Sequence, residues 1–129
     1  MDMIGQFLTM VRNAGDARHE KVDLPASKMR AGIAQILVEE GYIRSFKIAK
    51  DSKQGIMRVY LKYDEQGNHA ISNVRRVSTP GRRVYVQSDE IPVIRSGLGV
   101  SVLSTSKGVM SGKNATENKL GGELLCTIW

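Results

Sequence analysis

Three hydroxyls, a cation and a glycine follow one another in Ser104-Thr105-Ser106-Lys107-Gly108, between the alternating run Leu98 to Leu103 and the apolar pair Val109-Met110. Each hydroxyl is a short donor and acceptor, the ammonium is a point charge, and Gly108 permits a backbone approach that a Cβ would block. Such a set suits the sugar-phosphate and minor-groove edge of folded RNA, whose wide, shallow minor groove displays 2′-hydroxyls and base edges. The alternative is a Ser/Thr-rich turn whose hydroxyls satisfy their own backbone, and the spacing is compatible with both.

Charge favours the first reading. The chain of 129 residues has 19 Lys and Arg against 13 Asp and Glu, a net charge of +6. The excess is uneven: Gln66 to Ser88 holds Arg75, Arg76, Arg82 and Arg83 and no acid, either a polyanion footprint or a solvated basic face. Arg82 and Arg83 follow the turn Ser78-Thr79-Pro80-Gly81 and are candidate phosphate contacts, one on each face of a strand.

Materials for enzyme chemistry are poor. Gly108 to Asn114 has the look of a phosphate loop, but only three residues separate Gly108 from Gly112, and Asn114 stands where Ser or Thr must reach the metal. His19 and His69 have no Cys or carboxylate cluster at ligand spacing, so no metal and no cofactor are expected. Neither Glu39-Glu40 nor Asp89-Glu90 has the apolar surroundings that raise a catalytic pKa. The expectation is a protein without enzymatic activity or a small-molecule substrate. The single cysteine, Cys126, cannot form an internal disulfide and reads as a small buried hydrophobe. Met1 to Met10 include Asp2 and Gln6 and no long apolar core, so neither signal peptide nor membrane span is expected, and a cytoplasmic location is.

The elements that position these residues follow from periodicity. Ile4, Phe7, Leu8 and Val11 predict a first helix ending near Gly15, and Met29, Ile33, Ile36 and Leu37 a second, entered at Ser27 and closed by Gly41. Strands are predicted at Val22 to Leu24, Tyr42 to Lys50 and Gly55 to Tyr63, the last two joined by a hairpin loop over Asp51 to Gly55. Beyond the polar stretch Asp64 to Asn68 the pattern becomes mostly β. Strands are expected at Ile71 to Val77 and Arg82 to Gln87, and a helical turn at Ile91 to Ser96. Leu98, Val100 and Val102 should alternate inward, with a short helix or ordered turn in Ser111 to Lys119 and a last strand alternating Leu124, Cys126 and Ile128. The fold class is therefore α+β: an α-β-α-β-β unit over residues 1–65, two helices on a small sheet, followed by a mostly β domain with a short helix over residues 68–129.

Across this framework the chain resembles the eighth protein of the small ribosomal subunit, bacterial type. The resemblance rests on Phe7-Leu8-Thr9-Met10-Val11-Arg12-Asn13-Ala14, Ser27-Lys28-Met29, Glu39-Glu40-Gly41-Tyr42-Ile43, Arg76-Val77-Ser78-Thr79-Pro80-Gly81-Arg82-Arg83-Val84-Tyr85, Gly97-Leu98-Gly99-Val100, Ser104 to Met110, and Leu120-Gly121-Gly122-Glu123-Leu124. The chain departs from the family pattern at Asp2-Met3, where Asp-Pro is usual, and after Met110, where it reads Ser-Gly-Lys-Asn.

The resemblance implies a primary rRNA-binding protein that docks on an irregular helix in the central domain of small-subunit rRNA, supports assembly and translation, and sits among neighbouring small-subunit proteins. It implies that Ser104, Thr105, Ser106, Lys107 and Gly108 enter a minor groove, with the hydroxyls ranking above Lys107 and Gly108 serving conformation. Tyr85 would pack near a base or sugar, and Glu123, reached through Gly121-Gly122, would buttress the surface by accepting hydrogen bonds from loop hydroxyls or a base donor. Without the resemblance, the alternation of Tyr85 with Val84 and Val86 fits core packing equally well. Lys28 and Arg30, near the second helix start, either hold a second rRNA helix or are simply solvated. An alternative role for the same surface is repression of translation by binding a messenger that mimics the rRNA site, including the protein's own.

Overall fold

The computed structural model describes residues 2–50, 53–94 and 97–129. Helix α1 (Met3–Asp16) turns Ile4, Phe7, Leu8, Val11 and Ala14 inward at helical spacing. It ends at Asp16, near Gly15 as expected. A Cβ at Gly15 would stand 2.3 Å from Nδ1 of His69, so this glycine also answers a packing need. Helix α2 (Lys28–Glu39) begins where Ser27 Oγ accepts from the Arg30 amide at 3.1 Å and ends before Gly41, whose φ is +80°. Both helices pack on an antiparallel sheet of β1 (Lys21–Pro25), β2 (Ile43–Ala49) and β3 (Ile56–Leu61), in the order β1-β3-β2. Asp51 and Ser52 of the expected hairpin loop lie outside the described residues.

The second sheet contains β4 (Val74–Arg76), β5 (Tyr85–Val86), β6 (Val100–Thr105), β7 (Gly108–Ser111) and β8 (Gly122–Ile128), with α3 (Gly112–Glu117) between β7 and β8. Strand β8 is central: β4 and β5 pair with one edge, β6 with the other, and β7 lies beyond β6. The molecule is thus α+β, as expected. The strands at 74–76 and 85–86 are shorter than expected because the turn between them has its own bonds: Thr79 bridges Arg82, and Ser78 Oγ takes the Val84 amide at 3.1 Å.

Leu98 departs from its expected inward alternation and is 85% exposed. It lies in a turn where the Ile94 carbonyl accepts from the Gly97 and Gly99 amides, so alternation starts only at Val100. Of the helical turn expected at Ile91 to Ser96, Arg95 and Ser96 lie outside the described residues and 91–94 are irregular.

A bulge decides where the cores lie. Val102 pairs with Cys126 and Leu103 with Leu124, leaving Leu125 as the extra residue of β8. The expected alternation of Leu124, Cys126 and Ile128 is therefore broken. Leu125, Cys126 and Ile128 join Phe7, Leu37 and Met57 in the main apolar cluster, while Leu124 packs with Leu103 and Ala115 beneath α3.

Candidate nucleic-acid interface

At the open end of the second sheet, β6 and β7 close on the pair Thr105 and Gly108, which leaves Ser106 and Lys107 as the exposed tip of the hairpin. Gly108 has φ +107°, backbone that favours glycine. Thr105 Oγ1 donates to the Gly108 carbonyl at 2.8 Å and accepts from the Lys107 amide at 3.2 Å. One hydroxyl of the three therefore holds the turn, as the self-satisfied alternative requires. The half-buried Ser104 and exposed Ser106 hydroxyls bond to nothing among the described residues.

Register brings the distant candidates together. Tyr85 stands opposite Glu123, and Glu123 stands opposite Ser104. Residues directly opposite in antiparallel strands share a face, so the three side chains form one row about 10 Å long across β5, β8 and β6. Along β6 this is the face that carries Val100 and Val102 into the main core, so the row lies where that face runs out into solvent. Tyr85 is 69% exposed, which excludes the core reading of its ring; Val84 and Val86 pack inward instead.

The row depends on Gly121-Gly122. A Cβ at Gly122 would stand 2.2 Å from the Ser104 carbonyl oxygen, and one at Gly121 would stand 2.5 Å from that of Val86. Bare backbone lets both flanking strands close on β8.

Glu123 is fixed within the row. Its Oε2 accepts from Ser78 Oγ at 2.5 Å and from Arg83 Nη1 at 3.0 Å, while Oε1 has no partner among the described residues. Partial burial opposes ionisation, but the Ser78 and Arg83 hydrogen bonds and the charges of Arg83 and Arg76 outweigh it and hold the carboxyl below its ordinary range. Ser78 itself is fully buried. It lies within the resembling stretch, yet no local pattern links positions 78 and 123; the chain leaving β4 along β8 does, where the Ser78 amide donates to the Leu124 carbonyl at 3.1 Å.

The family model for Ribosomal protein S8 matches residues 2–129. The chain is 78% identical over 129 residues to "Small ribosomal subunit protein uS8" of Bdellovibrio bacteriovorus, covering the whole of both chains. It is 55% identical to the protein so named in Syntrophotalea carbinolica and 52% identical to that of Geotalea daltonii, over 99% of this chain and 97% of each relative. The chain belongs to the ribosomal protein S8 family. Membership makes it a structural, non-enzymatic component of the small ribosomal subunit, located with the ribosome in the cytoplasm.

Within this family member the remaining candidates divide by their partners. Arg82 is exposed and meets no acid among the described residues, whereas Arg83 is engaged by Glu123. Arg76 is tied inward, Nε to Asp2 Oδ2 at 3.0 Å and Nη1 to the Leu125 carbonyl at 2.6 Å. Lys28 is exposed at the start of α2. Arg30, expected either to contact RNA or to be solvated, is 2% exposed. Its guanidinium donates to the Pro25 carbonyl at 2.7 Å, the Met3 carbonyl at 3.2 Å and Gln6 Oε1 at 3.2 Å, so burial withdraws it from any phosphate. Among the described residues no group of three or more His, Cys, Asp or Glu could hold a metal ion, and no helix is long and apolar enough to cross a membrane.

Proposed function

We propose that the chain is a primary rRNA-binding protein that docks on an irregular helix in the central domain of small-subunit rRNA, through the tip Ser106-Lys107 and the row Tyr85, Glu123 and Ser104. The supporting observation is the register that aligns this row beside a hairpin whose Ser104 and Ser106 hydroxyls lack protein partners. Short hydroxyls on a rim can meet 2′-hydroxyls and base edges where longer side chains would crowd. The Tyr85 ring offers a flat surface to a base or sugar, Glu123 Oε1 can accept from a base amino group, and Arg82 and Lys107 supply phosphate contacts. Thr105, Gly108 and Gly122 shape this surface. Docking there would support assembly of the subunit and place the chain among neighbouring small-subunit proteins. A surface that reads shape and hydroxyls would also take a messenger folded like the rRNA site, which makes translational repression a competing use of the same contacts.

A salt-resolved titration of the full chain against that rRNA helix and an unrelated duplex tests the reading. Ser106→Ala should weaken specific binding by about 1–3 kcal/mol if an RNA partner is left unpaired, with little change in salt slope. Arg82→Ala should flatten the slope by about one unit. Equal affinity for both RNAs, or full affinity in folded Ser106→Ala, would overturn the assignment. A messenger with the look-alike fold should compete for the site; failure to protect any messenger at physiological salt would remove the repressor role.

A further inference from the structure

The outer face of the first sheet carries a second concentration of positive charge, on a different sheet from the hairpin tip. Lys21 stands opposite Tyr60, and Lys47 opposite Arg58, so these side chains share the face turned away from the helices, while Met57, Val59 and Leu61 face the core. A bulge adds Arg44 to it. Ile43 pairs with Leu61 and Ser45 with Tyr60, so Arg44 is extra and two successive residues leave the core side. The guanidinium carbon of Arg44 lies 5.4 Å from the Tyr60 ring centroid, and Lys47 Nζ lies 5.8 Å from it. The ring quadrupole thus gathers two cations that would otherwise move freely. Arg58 is bonded at 2.8 and 3.0 Å to Asp23, the acid of this face, and Glu20 lies near its Arg44 and Lys62 end. Lys21, Arg44, Lys47 and Lys62 are exposed and form no ion pair among the described residues.

We propose that this face, centred on Tyr60, Arg44 and Lys47, is a second RNA-binding surface that takes the phosphate backbone of a single strand. Arg44 and Lys47 lie 5.4 and 5.8 Å from the centroid of one ring, so the face offers an aromatic side chain beside two cations, the combination by which single strands are held. Pre-ordering on Tyr60 lowers the entropy lost when Arg44 and Lys47 engage them. The choice of RNA over an acidic protein rests on the rRNA-binding reading above.

The test uses the full chain and a mixed-sequence single-stranded RNA of about twelve nucleotides. R44Q/K47Q should bind it about tenfold more weakly, with a salt slope flatter by about 1.4 units for two lost single-strand contacts. This variant should keep the parent's thermal midpoint and its affinity for the central-domain helix. K21Q/K62Q, exposed on the same face, gives an independent second variant. Ser106→Ala should bind the single strand like the parent, so failure of the hairpin reading and failure of this one are distinguishable. The proposal is overturned if both double variants bind the strand normally, if Ser106→Ala alone loses it, or if polyglutamate displaces the RNA at equal charge.

Discussion

Glu123 illustrates how one side chain can be visible in a sequence while its means of support is not. Its position after Gly121-Gly122 was legible through the resemblance, and an acid on a basic face stood out by charge. Its partners were not legible, because Ser78 and Arg83 are 45 and 40 residues away and meet it only through the pairing of β4 and β5 with β8. Because the carboxyl sits below its ordinary value of 4.5, the folded chain binds fewer protons there than the unfolded one. The resulting stability is fully present above the unfolded value and is lost as pH falls through the lower folded value. Glu123→Gln should therefore fall short of the parent most at neutral pH, the gap closing below about pH 5. Thermal unfolding of both proteins from neutral to acid pH measures it, and a gap that stays constant would show that the carboxylate is not held ionised. Arg30 marks the opposite limit of sequence reading: a cation beside a helix start gives no sign that carbonyls from Met3 and Pro25 will enclose it.

At the level of elements, the helices and the longer strands announced themselves through spacing, whereas the bulges did not. Apolar alternation reads a strand as if every residue were paired, so the extra Leu125 and the extra Arg44 were invisible, and each moved neighbouring side chains to an unforeseen face. Glycines were similarly legible as glycines but not by cause. Gly108 and Gly122 both serve the hairpin end of the sheet, and their substitutions separate two causes. Gly108→Ala meets nothing within 4 Å, so its cost is backbone strain at φ +107°, of order 1–3 kcal/mol. Gly122→Ala would press a methyl against the Ser104 carbonyl at 2.2 Å, which is backbone and yields only if β6 moves off β8. Urea unfolding together with RNA titration should find that Gly122→Ala loses more affinity than Gly108→Ala at comparable stability, because only the former displaces the row. Equal losses would mean that the row's register does not matter for binding.

At the scale of the whole molecule, residues 1–65 and 68–129 were expected as separate domains, and Cys126 offers the means to test how independently they open. Its thiol is fully buried in the apolar cluster that contains Phe7 and Leu37 from the first half and Val102 and Ile128 from the second. Burial pushes its pKa up to about 12, so the native thiol should be inert to alkylation and react only after an opening. When reclosing is faster than labelling, the labelling rate reports the free energy of whichever opening exposes that thiol. A shared core makes separation of the halves nearly as costly as unfolding both, since each would expose side chains the other now covers. The expected result is an opening free energy for Cys126 equal to that of global urea unfolding, with the same dependence on urea. A markedly smaller value with a shallow urea dependence would instead show that the first half lifts away as a unit while the sheet carrying the RNA rim stays folded.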